Sequence, residues 1–258
     1  MKKIISILLA LALVALGVCS LASCDTLTAA SAIEKADQAL TKNPYTVTMS
    51  MDFNCDDAAL NQIFDALSME IPVTYDGKNL ALDMSMEIME GMSAAVKMSV
   101  VDNVLYYNMD LFGESLKMKS TLNEEQYKEF MEDSNSEMPV DADSFETLTM
   151  ETVDGKQVIT CSGITTEGLT AMNDMLAEAL TSAGADASVG DLSFTITIDD
   201  GKYDTMALTA AYSVTIAGQT YSVSMTMNAT YNYENVQPIT APADADSYEE
   251  VDFSELMG

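Results

Sequence analysis

Between Met69 and Thr121 the chain alternates apolar and polar residues almost without pause, interrupted only by short turn signals, and this pattern leaves few folds open. Leu80, Leu82, Met84, Met86 and Ile88 alternate with Ala81, Asp83, Ser85 and Glu87. Glu90-Gly91 then turns the chain into Met92, Ala94, Val96, Met98 and Val100, and Asp102-Asn103 turns it into Val104 to Leu111. Gly113-Glu114 leads on to Leu116, Met118 and Ser120. Strands joined so tightly are antiparallel neighbours, because a parallel pair needs a crossover of a dozen residues or more.

The same period of two recurs on both sides of this block. Tyr45, Val47, Met49, Met51 and Phe53 form an earlier strand, and Phe145 to Val153 and Lys156 to Ile164 fold about Asp154-Gly155. Leu192, Phe194, Ile196 and Ile198 precede Asp199-Asp200-Gly201, Tyr203 to Ile216 returns, and Tyr221, Val223, Met225, Met227, Ala229, Tyr231 and Tyr233 form the longest apolar line. The total is about eleven strands, the last of them well beyond the usual five or six residues. We therefore expect an α+β protein: a single open, strongly curved antiparallel sheet in meander order, a half-barrel, with about four short helices on its concave face.

The helices are expected at four places. Ser31-Ala32-Ile33-Glu34 has capping-box spacing and opens a helix to residue 42, stopped by Asn43-Pro44. Asp56-Asp57 precedes a stripe of Leu60, Ile63, Phe64 and Leu67. Thr121 to Glu124 has capping-box spacing again, for a helix to Glu132 with Tyr127, Phe130 and Met131 inward. Thr166 to Ala183 carries Leu169, Met172, Leu176 and Leu180 in register and ends at Gly184. The segment 236–258, with Pro238, Pro242 and many acids, reads as an irregular tail.

The N-terminus supplies an address. Lys2 and Lys3 precede an apolar run from Ile4 to Leu16, and the chain then reads Leu21-Ala22-Ser23-Cys24. This resembles the signal peptide and lipobox of bacterial lipoprotein precursors: the small Ala22 and Ser23 admit a peptidase at the Ser23–Cys24 bond, and the Cys24 sulfur carries a diacylglyceryl group. Cys19 competes for that role, but the bulky Val18 would sit before the cut. An uncleaved membrane helix is the other reading, since Ile4 to Ser23 has about the 20 residues a bilayer span needs. The resemblance implies a signal peptide over 1–23, a tether over 24–30, the half-barrel body over 31–235 and the acidic tail. It also implies export and anchoring to the outer face of the cell membrane through two acyl chains, worth about 0.8 kcal/mol per buried methylene.

Composition narrows the function. All eleven basic residues are lysine, and there is no Arg, His or Trp, which removes histidine catalysis, bidentate guanidinium clamps and histidine metal sites. Removal of residues 1–23, with Lys2 and Lys3 and no acid, shifts the formal charge from −30 to −32 and excludes nucleic acid as a partner. The acid pairs at Asp141 and Asp143, Asp199 and Asp200, and Asp244 and Asp246 lack the graded spacing of a calcium loop, so no metal or cofactor is expected. Neither is an enzyme. Cys55 and Cys161 could form a disulfide, worth on the order of 4 to 5 kcal/mol in the loop-entropy model, but no local spacing supports pairing and the favoured reading is two buried free thiols.

Twenty methionines are the remaining feature. Met49, Met51, Leu82, Met84, Met86, Met98, Phe194, Ile196, Met225 and Met227 all fall on apolar sides of strands. Flexible thioethers fill a core of any shape, and they equally line a cavity that accepts acyl chains of varied length. A lipobox, an initial amphipathic helix, a long antiparallel meander and an acidic tail together resemble the lipid and lipoprotein carriers LolA, LolB and the LppX/LprG group. That resemblance implies a hydrophobic ligand, lipid or acyl chain, in the Met-rich cavity; the alternative is a structural or protein-interaction envelope lipoprotein with a filled core. Fractionation of cells exporting the wild type and Cys24→Ala checks the anchor. The wild type should sediment with membranes, cleaved and lipid-bearing; an uncleaved or unlipidated wild type, with Cys24→Ala beside it in the same fraction, overturns the reading.

Overall fold

The computed structural model describes residues 29–58, 60–61, 69–89, 92–111, 113–133, 145–180, 186–216 and 218–253. The signal peptide, the tether, most of the helix expected after Asp57, and residues 134–144 lie outside them.

The described strands form one open, mostly antiparallel sheet of the α+β class. They are β1 (Tyr45–Cys55), β2 (Met69–Tyr75), β3 (Leu80–Met89), β4 (Met92–Val101), β5 (Val104–Leu111), β6 (Glu114–Thr121), β7 (Phe145–Val153), β8 (Lys156–Ile164), β9 (Asp186–Asp199), β10 (Lys202–Ile216), β11 (Gln219–Asn232) and β12 (Glu249–Glu250). Their order in the sheet is β12-β6-β5-β4-β3-β2-β1-β11-β10-β9-β8-β7. Two meanders, β1 to β6 and β7 to β11, therefore meet where β1 pairs with β11. Residue 56 meets residue 222 while the ring of Tyr45 meets Tyr231 and Tyr233, so these two strands run antiparallel.

Left-handed backbone at the hairpin tips explains the turn residues. Asp102 and Asn103 (φ 50° and 66°) and Asp154 and Gly155 (φ 51° and 86°) take the paired positive φ of a tight hairpin turn, which Asn, Asp and Gly tolerate best. The strand count is twelve because the tail is not wholly irregular. It makes a 3-10 turn at Ala245–Ser247, and Glu249 and Glu250 then pair in parallel with Met118 and Lys119.

Three helices are described: α1 (Ala29–Lys42), α2 (Glu124–Asp133) and α3 (Thr166–Leu180). The capping box of α2 lies two residues later than the Thr121–Glu124 spacing suggests. Gln126 N–H donates to Asn123 Oδ1 (2.9 Å), and Asn123 N–H donates back to Gln126 Oε1 (3.0 Å). Thr165 Oγ1 caps α3 by accepting from Gly168 N–H at 3.2 Å. Asp57 likewise starts a helical turn, its Oδ1 accepting from Leu60 N–H at 3.0 Å.

The residues group into two compact units, and β1 and β11 run through both. Unit 1 comprises the chain to residue 39, residues 51–65 and residues 135–228. Its core joins the inward residues of β8 to β11 and the end of β1 to Ala29, Ile33 and Ala36 of α1 and Met172 of α3, all buried. Unit 2 comprises residues 40–50, 66–134 and 229–258. There Phe130 of α2 packs on Val100, Leu105 and Leu122, with Leu80, Met98, Tyr127 and Phe253 around them. Asp76 holds this end together: its carboxylate accepts from Lys78 N–H, Asn79 N–H and, across 163 residues, Ile239 N–H at 2.8 Å. Burial pushes the Asp76 carboxyl up, but these donors outweigh it and leave it below the ordinary aspartate range.

Helix α1 docks in unit 1 through a half-buried carboxylate, that of Asp37. Tyr203, 1% exposed, donates its hydroxyl to Asp37 Oδ1 at 2.6 Å. Burial raises the Asp37 carboxyl, the Tyr203 bond lowers it in part, and nearby Glu34 raises it further, for a net rise above the ordinary aspartate range. A carboxyl raised in the folded state binds its proton more tightly there than in the unfolded chain. It therefore costs stability above the folded pKa and recovers it as pH falls toward the unfolded value. Asp37→Asn, neutral at every pH and still an acceptor for Tyr203, should raise the melting temperature at pH 7. Melts at pH 7 and pH 4 should show that gain shrinking as the solution is acidified.

Candidate functional site

The ten residues expected to line a cavity divide between the two units. Met51, Phe194, Ile196, Met225 and Met227 belong to unit 1 and are 0–2% exposed, inside a core to which α1 and α3 contribute. Met49, Leu82, Met84, Met86 and Met98 belong to unit 2. Met49 is buried, whereas Leu82, Met84 and Met98 are half-buried; Met86 lies in β3 at the register position opposite Ala94 of β4.

Strand register shows what surrounds the half-buried set. One row crosses the unit 2 sheet as Val73–Leu82–Met98–Tyr107–Met118, and every member is half-buried. The adjoining row runs Met84–Val96–Met109–Leu116, half-buried until Leu116, which is 42% exposed. A third row, Leu80–Val100–Leu105–Ser120, lies under α2 and is buried from Val100 onward. Helix α2 is ten residues long, about 15 Å, and its buried Phe130 covers one end of the meander. The next two rows are left half open to solvent.

These rows contain four methionines, two leucines, two valines and one tyrosine. The Tyr107 hydroxyl donates to Met109 Sδ at 3.6 Å, and burial pushes its pKa up. A thioether is a weak acceptor, so this phenol retains most of its capacity to donate to a stronger one. The arrangement offers what an aliphatic chain needs: polarizable, flexible side chains on an apolar strip, with one hydrogen-bond donor set into it.

The opposite face of the same strands is polar. Lys97 pairs with Asp83 at 2.8 Å, and Lys117 pairs with Asp244 at 2.5 Å, the latter pair seating the tail so that Tyr248 packs edge-on against Tyr106. A cavity of about 390 Å³ lies between the end of β6, α2 and the tail, lined by Ser120, Thr121, Gln126 and residues 250–253. Its polar and acidic lining does not suit an acyl chain. Among the described residues no cluster of His, Cys, Asp or Glu has the geometry of a metal site.

Cys55 and Cys161 are both buried free thiols. Three strands, β11, β10 and β9, lie between β1 and β8, a separation of about 19 Å along the sheet at 4.8 Å per strand, far beyond disulfide reach. Burial pushes Cys161 up to about 11 and raises Cys55 as well, so both are held as unreactive thiols. Tyr212, 3% exposed, has a buried hydroxyl with no hydrogen-bond partner among the described residues, which in an apolar core costs about 1 to 3 kcal/mol.

No known family matches this sequence. No curated protein matches it either. Among solved structures it is similar to the ywiB protein of Bacillus subtilis, at 7% identity and a TM-score of 0.20 over 76% of this chain and 98% of that one. It is also similar to the dehydratase domain from the CurJ module of curacin polyketide synthase, at 10% identity and a TM-score of 0.12 over 80% and 83%. Among the described residues no helix is long and apolar enough to cross a membrane.

The division between filled core and open strip can be measured by truncation. Met225→Ala removes a side chain that is 0% exposed and should cost about 2 to 5 kcal/mol, whereas half-buried Met98→Ala should cost about 1 kcal/mol or less. Urea unfolding with a common m-value for both variants is the measurement.

Proposed function

We propose that this chain is an exported, membrane-anchored lipoprotein that holds an acyl chain on the open apolar strip of β3 to β6. One observation carries the proposal. Nine apolar or aromatic side chains in adjoining rows, from Val73 to Leu116, stay partly solvated, whereas Val100 and Leu105 in the neighbouring row are buried under α2. Taking such a side chain from full exposure to full burial is worth about 1.5 to 3 kcal/mol, so an aliphatic ligand laid along these half-buried rows would recover the part of that energy still open to solvent. The carrier-like arrangement of lipobox, first helix and antiparallel meander supports the same reading, with Cys24 as the attachment point. Tyr107 would donate to the ligand's ester or carboxyl oxygen.

The unit 1 core favours a second reading. With Met51, Met225 and Met227 wholly buried, half of the expected lining is already packed by protein, as in a structural or protein-interaction lipoprotein without a ligand.

Binding of a fluorescent fatty acid to the chain from residue 25, with native mass spectrometry for co-purified lipid, separates the two. Met98→Lys, on the strip, should weaken binding by roughly ten- to a hundredfold, the equivalent of about 1.5 to 3 kcal/mol. Ser85→Lys, exposed on the opposite face of β3, should leave it unchanged. A folded wild type that carries no lipid and gives no fluorescence change leaves only the second reading.

A further inference from the structure

The two ends of the strand order differ. At one end β12 covers part of the β6 edge, and Val251 N–H adds a bond to Lys119 O at 2.9 Å. At the other end β7 closes the order with nine residues, Phe-Glu-Thr-Leu-Thr-Met-Glu-Thr-Val, in continuous antiparallel register with β8 from Thr147–Ser162 to Val153–Lys156. Proteins commonly blunt a terminal strand with lysine, proline, a bulge or a covering segment. β7 contains neither lysine nor proline, and Glu146, Thr147, Thr149, Glu151, Thr152 and Val153 are all exposed.

The apolar layer of unit 1 also stops short at this strand. Cys161 and Ile159 of β8 are 0% exposed, yet their cross-strand neighbours Leu148 and Met150 are only half-buried. One more strand laid against β7 would complete the layer.

We infer that this strand is supplied by a second copy of the chain, pairing β7 with β7 antiparallel about a two-fold axis at Thr149. That register engages all nine residues. Leu148 faces Met150 of the second copy, Glu146 faces Thr152 and Thr147 faces Glu151, so the half-buried apolar pair meets its like and no like charges stand opposite; Phe145 falls opposite Val153 along the backbone, its ring already packed edge-on against Phe194 at 6.0 Å. Moving the axis to Met150 sets Glu146 against Asp154, and moving it to Leu148 sets Glu146 against Met150 and drops Thr152 and Val153 from the pairing. The strong negative charge of each copy opposes association at long range. This repulsion is screened beyond about 8 Å at physiological salt, so the pairing should strengthen as salt is raised.

Cysteine cross-linking of the full chain exported in cells tests the register. Directly opposite residues of an antiparallel pair have Cα atoms about 4.5 to 5.5 Å apart, within the range a disulfide spans. Under mild oxidation Thr149→Cys should give a reducible dimer at least tenfold more abundant than Glu151→Cys, whose copies would lie about 13 Å apart, or than Ser224→Cys on β11. Cys55 and Cys161 are buried and serve as background in every variant. Dimer from Thr149→Cys no greater than from the two controls, dimer from Glu151→Cys equal to it, or cross-linking of Thr149→Cys to a different protein would each overturn the inference. Circular dichroism of each variant confirms that these exposed substitutions leave the fold in place.

Discussion

The continuity of the sheet rests on the pairing of β1 with β11, which joins residues 166 positions apart. Asp56 N–H donates to Ser222 O and Ser222 N–H to Asp56 Oδ1, each at 3.2 Å. Extending this register places Met51 beside Met227 and Phe53 beside Met225, and all four are among the most buried side chains of the molecule. Closing a loop of that length costs about 3 kcal/mol more than closing a four-residue hairpin, because the entropy grows only as the logarithm of length. Burial of one or two such side chains offsets that difference. The seam is therefore thermodynamically affordable but kinetically demanding: each meander consists of local hairpins, while the seam must wait for a non-local contact, so folding through it should be slow.

Much of this architecture was legible in the sequence because a half-buried strand imposes a period of two that only the chain's own side chains can reveal. The hairpins from Leu80 to Thr121 and from Phe145 to Ile164 follow that period, and their tips carry the Asp, Asn and Gly that positive φ demands. The misses also have physical causes. The first six residues of β9, Asp186 to Asp191, have almost no apolar alternation and become strand because β10 offers them partners, with a register shift at Ala211 and Tyr212 that leaves Gly190 unpaired. β12 is two exposed glutamates, held by pairing and by the seating of Tyr248 and Asp244 rather than by any preference of their own. At α2, Thr121 with Glu124 and Asn123 with Gln126 both satisfy capping spacing, and the strand claims Thr121, leaving Asn123 to cap.

The candidate site was only partly legible, for a related reason. Alternation states that Met84 and Met225 both point to an apolar side, but not how much protein lies above them. That depends on where three helices dock, and docking is decided by particular contacts such as Asp37 with Tyr203 in unit 1 and Tyr127 with Lys78 O in unit 2. Met225 ends in a core with buried residues from α1 and α3; Met98, half-buried at the margin of the Phe130 cluster, ends on a strip that α2 covers only in part. Identical side chains in identical patterns thus reach opposite fates.

A half-open apolar strip and a bare terminal strand are both routes to uncontrolled association, and the chain's charge bears on both. With 41 acids against 11 lysines, and lysines such as Lys78, Lys97, Lys117 and Lys156 already paired with aspartates, the solvated surface is strongly negative. Such a surface repels copies of itself over a screening length while leaving short-range contacts intact. An apolar ligand without charge would meet no barrier at the strip, and two copies would overcome the repulsion only where a specific register supplied hydrogen bonds and apolar contact together. The excess of acid thus acts as a filter on association, suppressing loose encounters between sticky surfaces and sparing those with a complementary fit.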